Sequence, residues 1–161
     1  MKKLGIWKVI IGALIGGIAV GFVMLRVKNK VINQSDNRVR KFKDYYYLLN
    51  QWLALKNDGK SVETFFVNKG IKSIAIYGMG ELGNRLYEEL KDRKEVEVRY
   101  AIDKNADNTY SEVSIVTIED ELKEVDAIII TAIFDFDPIV EELSSVVDYA
   151  LVSLEDVIFE V

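Results

Sequence analysis

Residues 72–83, KSIAIYGMGELG, decide how this chain folds. Lys72 to Tyr77 is a short, mostly apolar run that reads as a strand, and Gly78-Met-Gly-Glu-Leu-Gly83 follows at once. Asn84 to Asp92 then reads as a helix, with Leu82, Leu86 and Leu90 on one side. A GxGxxG pattern alone is weak, but between a strand and a helix it is a phosphate-binding turn. In that turn Gly78 permits the sharp bend, Gly80 lets backbone approach a diphosphate, and Gly83 lets the helix pack on the strand.

Downstream, the same alternation continues. Val96 to Ile102 is the next apolar strand and ends in Asp103. Val113 to Val116 reads as a third, shorter strand, and Thr117 to Lys123 as a helical turn with acidic residues at its start. Ala127-Ile-Ile-Ile-Thr131 is apolar on both faces, as buried parallel strands are. A helix is expected from Asp137-Pro138 to about Val147, a last strand at Ala150–Ser153, and a terminal helix at Leu154–Phe159. The class is therefore α/β: a three-layer, parallel sheet of about five strands in order 3-2-1-4-5, with its ligand crevice between the first and fourth strands.

The candidate site gathers at that crevice. Gly78, Met79, Gly80, Glu81, Leu82 and Gly83 form the loop and the helix start, where free N–H groups and a positive dipole end suit an anion. Asp103 lies 20 residues beyond Gly83, placed to accept from both hydroxyls of a ribose. A carboxylate there disfavours a 2′-phosphate, which selects NAD or a nucleotide sugar over NADP, although Lys104 sits beside it. Thr131 and Ala132 end the fourth strand at the crevice mouth. Glu81 raises the alternative, since its carboxylate could satisfy the amides a phosphate would use and leave a degenerate scaffold. Asp135 and Asp137 read as helix caps rather than metal ligands. Tyr100 and Lys104 have a Tyr-x-x-x-Lys spacing but span a strand end, so they do not lie one helical turn apart.

Tyr77 to Gly83, Leu86-Tyr-Glu-Glu-Leu90 and Ala101-Ile-Asp103 together resemble small Rossmann-like domains. These are similar to the N-terminal part of nucleotide-sugar epimerases and dehydrogenases and to modules of bacterial surface-polysaccharide enzymes. The resemblance spans about residues 70–158 and implies Gly78, Gly80, Gly83 and Asp103 as dinucleotide-binding positions. It also implies a role in cell-envelope polysaccharide biosynthesis. No second half follows to hold a sugar or a hydride acceptor, which favours binding over turnover.

Upstream, Val9 to Val23 carries no charge, and with Ile6 and Trp7 before it and Met24 and Leu25 after it the run is long enough to cross a bilayer. Basic residues follow it directly, as in a stop-transfer segment, and no small-x-small cleavage site immediately precedes the polar region. Residues 1–27 therefore read as a transmembrane anchor in the lipid bilayer, 28–69 as a basic linker with amphipathic helices, and 70–161 as the α/β domain. Lys2 and Lys3 precede the span and seven basic residues from Arg26 to Lys43 follow it, so the C-terminal domain is expected in the cytoplasm. Gly12, Gly16, Gly17 and Gly21 offer a small-residue face for a homo-oligomer. Residues 39–57 read as an amphipathic helix stopped by Gly59, with Phe42, Tyr45, Tyr46, Leu49, Trp52, Leu53 and Leu55 or Lys56 on its apolar face, expected to pack on the domain, with a partner helix or the bilayer surface as alternatives. Ser61 is the expected N-cap of a short helix, Val62 to Asn68, that stops at Gly70.

Composition excludes several chemistries. The 161 residues include no His and no Cys, so no Ser-His-Asp or Cys-His machinery, disulfide or thiolate metal site can be built. Residues 1–43 hold ten basic side chains and one acidic, Asp36, a net +9, whereas 44–161 hold 11 basic and 25 acidic, a net −14. The acidic part is unsuited to nucleic acid, and the basic part adjoins the most apolar stretch. Three roles stay open: a membrane-anchored nucleotide-binding module, a non-catalytic scaffold that meets an envelope-biosynthesis partner, and an epimerase or oxidoreductase subunit completed by another chain. No acid/base pair is identifiable, so the chain is not expected to be an enzyme on its own.

Overall fold

The computed structural model describes residues 37–106 and 111–161. The expected membrane span lies outside them, and among the described residues no helix is long and apolar enough to cross a membrane. The chain divides into two compact units, Met1–Tyr46 and Tyr47–Val161. Of the first unit only residues 37–46 are described, and they are helical.

The second unit is an α/β fold on five parallel strands, β1 (Ser73–Tyr77), β2 (Glu97–Ile102), β3 (Ile115–Val116), β4 (Ala127–Ile130) and β5 (Ala150–Ser153). Their order is β3-β2-β1-β4-β5, the Rossmann-like arrangement expected from the sequence. The central strands β1 and β4 are buried along their whole length, and the edge strands only in part. Tyr77 is level with Ile102 on one side and Ile130 on the other. The next residue of each strand, Gly78, Asp103 and Thr131, therefore emerges at one height along the sheet edge.

The α-helices are α1 (helical over 37–57), α2 (Glu63–Lys69), α3 (Glu81–Leu90), α4 (Phe136–Leu143) and α5 (Leu154–Phe159), of which α2 to α5 and the part of α1 from residue 47 belong to the sheet unit. The chain steps across the sheet one way from β1 to β2 and the other way from β4 to β5, so right-handed crossovers put α3 and α4 on opposite faces. Ile139 and Leu143 of α4 pack on Ala75, Tyr77, Tyr100, Ile102, Ile128 and Ile130. Ile74 and Ile76 alternate to the other face. Phe66, Leu48, Leu82, Leu86 and Leu90 are fully buried, each burial worth about 1.5–3 kcal/mol.

Three expectations about elements change. No helix forms at Thr117–Lys123; instead Asp120 Oδ2 accepts from Thr117 N at 2.7 Å and Thr117 Oγ1 at 2.9 Å, and this side-chain turn competes with the backbone ladder. Helix α2 starts one residue later, at Glu63, with Ser61 Oγ accepting from Glu63 N at 3.2 Å. Within the sheet unit α1 buries Leu48, Trp52 and Leu55, while Leu49 and Leu53 are exposed. The helix carries apolar residues on two neighbouring stripes, and spacing of three and four alone does not say which one faces inward.

Candidate functional site

The loop after β1 is fixed by two of its glycines. Gly78 has φ +92°, and a Cβ there would also come within 3.1 Å of Thr131 Oγ1. At Gly83 a Cβ would sit 2.0 Å from the Gly78 carbonyl oxygen, so α3 meets the turn backbone to backbone. Gly80 differs. Its φ is −75°, and a Cβ there would meet nothing within 4 Å. Neither backbone angle nor packing demands glycine at Gly80, an N-cap position that tolerates glycine, and its bare Cα leaves the loop surface open there.

Asp103 faces this loop from the end of β2. Its Oδ2 accepts from Met79 N at 2.8 Å and its Oδ1 from Asn105 N at 2.8 Å. A carboxylate offers roughly four acceptor positions, so two amides leave room for ribose hydroxyls. Asn84 Nδ2 donates to Met79 O at 2.9 Å and Gly80 O at 3.0 Å, which stiffens the loop from below.

Glu81 does not plug the loop. Its side chain is largely exposed and reaches Arg85 NH2 at 3.8 Å, one turn further along α3. Gly80, as N-cap, supplies no side-chain cap, so the leading amides of α3 keep their capacity for an anion. The turn from Gly80 into α3 also starts the helix at Glu81, three residues before the sequence pattern suggests.

A cleft of about 400 Å³ opens beside the loop, lined by Tyr77, Gly78, Asp103, Lys104, Ala132, Asp135, Pro138, Ile139 and Glu142. This volume lies in the range of small-molecule sites. Lys104 Nζ meets Glu142 Oε2 at 3.3 Å, joining the end of β2 to α4. The hydrogen bond to Glu142 raises the Lys104 pKa, with Tyr77 adding to it. Both partners are exposed and solvent screens their attraction, so a ligand can part them at little cost. The Tyr77 hydroxyl is buried and meets no hydrogen-bond partner of ordinary geometry among the described residues. Burial pushes its pKa up, and the nearby Lys104 ammonium offsets part of that.

The remaining expected residues divide. Ala132 lines the cleft. Thr131 does not; it is buried, and its hydroxyl lies 2.6 Å from Gly78 O and 3.1 Å from Tyr77 O, tying β4 to the turn. Leu82 and Met79 point into the core, at 2% and 4% exposure, so each can meet a ligand only through its backbone. Asp135 is the N-cap residue of α4 but makes no side-chain cap bond, and it turns to the cleft instead. Tyr77 and Glu142 escape a motif search. The spacing 135, 138/139, 142 on one helix face is the signal that finds the α4 wall.

No family model, curated protein or solved structure matches this chain.

Proposed function

We propose that this chain is a nucleotide-binding module, tethered to the membrane through residues 1–27, with its α/β domain in the cytoplasm. The ligand, NAD or a nucleotide sugar, would lay its diphosphate over Gly80 and the start of α3 and its ribose against Asp103. The observation that supports this most is Gly80, which neither its backbone angle nor any neighbour within 4 Å requires to be glycine, beside an open cleft of about 400 Å³. The absence of His and Cys favours holding a ligand over transforming it. The resemblance to nucleotide-sugar enzymes suggests envelope polysaccharide biosynthesis as the setting.

Titration calorimetry on the detergent-solubilised full chain tests it with NAD, NADP and UDP-sugars. Binding of NAD or a UDP-sugar that Gly80→Asp abolishes is the expected result. Silence from every compound overturns the reading.

The bond from Met79 N to Asp103 favours a second reading, a scaffold whose loop serves only the turn. Under it Gly80→Asp leaves cellular function intact, whereas charges placed at the exposed Leu49 and Leu53 remove it.

A further inference from the structure

The first described turns of α1 carry exposed apolar side chains on one face. Val39 and Phe42 are 65% and 76% exposed, and Tyr46, one further turn along, is 59% exposed. At 100° per residue these three fall within one sixth of the helix circumference. Arg38 and Lys43 flank that arc, and Arg40 and Lys41 lie on the opposite side. Between residues 37 and 46 there are four basic side chains and one acidic, Asp44. A large exposed phenyl ring amid basic side chains is a poor solvent face and a poor match for a second copy, since like charges would meet across the seam. It fits an anionic lipid surface, where apolar side chains enter the interface and flanking Arg and Lys reach phosphates.

Position supports the same occupant. The uncharged run ends at Val23 and α1 is already helical at residue 37. The nine residues 28–36 span at most roughly 30 Å extended and about 14 Å as helix. On the reading of residues 1–27 as an anchor, Val39 and Phe42 are thus held near the headgroups at all times.

We propose that residues 37–46 lie on the anionic leaflet through Val39 and Phe42, with Arg38 on a lipid phosphate. This second contact limits how freely the tethered domain can turn. It rests on the anchor reading and adds a surface to it.

The chain has no cysteine, so single labels can be placed at will. Full-length Val39→Cys, Phe42→Cys, Arg40→Cys and Ile15→Cys, each with an environment-sensitive fluorophore, are reconstituted into phosphatidylcholine vesicles with or without phosphatidylserine. A lipid-borne quencher and an aqueous quencher are applied in turn. In anionic vesicles, labels at 39 and 42 should be quenched from the lipid several-fold more than the label at 40. Neutral lipid or high salt should reduce that difference, because charges beyond a screening length of about 3 Å at 1 M salt no longer attract. Equal aqueous quenching at 39, 42 and 40, with Ile15→Cys in lipid, overturns the docking and leaves the anchor standing. Labels at 39 and 42 shielded from both quenchers mean a protein partner, and also overturn it. An Ile15→Cys label in water overturns both readings.

Discussion

Asp103 Oδ2 accepts from the Met79 amide at 2.8 Å, so the residue that ends β2 holds the loop that follows β1. The same carboxylate also accepts from Asn105 N through its other oxygen. A residue that the motif assigns to ribose is thereby part of the loop's own architecture before any ligand arrives. It sets the height of the Gly78–Gly80 turn above the sheet edge. If the proposed nucleotide binds here, binding and folding are coupled at this one side chain, and substitutions there must be read on both scales.

Asp103→Ala removes a charged acceptor from two backbone amides in a partly exposed place. Loss of hydrogen bonds of this kind costs about 1–2 kcal/mol. Asp103→Asn keeps one carbonyl oxygen and should lose about half as much. Chemical denaturation of the detergent-solubilised chain measures both. If Asp103 also holds a ribose, Asn should weaken NAD or UDP-sugar binding by more than its stability loss accounts for.

Gly80 and Gly83 should respond very differently to alanine. At Gly83 the new methyl would lie 2.0 Å from the Gly78 carbonyl, and α3 must move away from β1. Overpacking against backbone should cost about 3 kcal/mol or more. At Gly80 the methyl meets nothing within 4 Å. Alanine at a compatible φ reduces the freedom of the unfolded chain but is a poorer N-cap than glycine, so the two effects should leave stability within about 1 kcal/mol of the parent. A Gly80→Ala protein that is stable and binds nucleotide tenfold or more weakly would place the phosphate over this residue.

Much of this fold was legible because buried parallel strands leave a plain record. Ala127–Ile130 and Ala150–Ser153 appear where the apolar runs put them. The glycine turn orders β1 and α3, and the alternation then dictates the sheet order. What sequence could not settle was decided by contacts between distant residues. Thr117–Lys123 has helix-forming residues, yet Asp120 folds back on Thr117. Glu81 could have capped its own helix, yet Arg85 and solvent hold it. The α1 face that packs inward is chosen by Glu89, 37 residues after Trp52. The cleft wall from α4 needs the crossover to bring Glu142 opposite Lys104.

Trp52 and Glu89 join α1 to α3. The indole N–H donates to Glu89 Oε2 at 2.7 Å, while Glu89 Oε1 accepts from Ser61 Oγ at 3.3 Å and Val62 N at 3.2 Å. Lys56 Nζ lies 3.1 Å from Oε2, and the Glu89 side chain is 3% exposed. One buried carboxylate thus closes three elements on each other. Glu89→Leu leaves the indole and a backbone amide without an acceptor and should destabilise by about 2–4 kcal/mol. Trp52→Phe should cost less, since Lys56 still compensates the charge. Hydrogen exchange at α1 and α2 should rise before exchange in the sheet does.

Asp126 links the starts of β1 and β4. It accepts from Lys72 N and Ser73 N at 2.8 Å each and from Ser73 Oγ at 3.0 Å. The backbone amide of Lys72, then that of Ser73, holds its pKa below the ordinary value of 3.8. The unfolded chain therefore takes up the proton first as pH falls. The stabilisation is fully present above the unfolded value and fades as pH drops through the lower folded one. Asp120 shifts the same way, through the Thr117 amide first. Denaturation midpoints should be flat from neutral pH to about pH 5 and then fall. Asp126→Ala should start lower and fall less over that window; an unchanged slope would remove Asp126 from the account.

Tyr77→Phe separates a ligand contact from a structural one. Tyr77 lines the cleft, and its hydroxyl is buried with the Lys104 ammonium nearby but no hydrogen-bond partner of ordinary geometry among the described residues. A buried polar group without a partner costs the free protein, so its removal should leave stability unchanged or raise it by up to about 1 kcal/mol. A bound nucleotide or sugar that supplied the missing acceptor would reverse the sign on the binding scale. Tyr77→Phe should then weaken that ligand about fivefold to tenfold while the melting temperature of the free chain holds or rises. A Tyr77→Phe chain that melts earlier and binds unchanged would mean that the hydroxyl serves the core, and that the cleft meets its ligand through Asp103 and the loop amides alone.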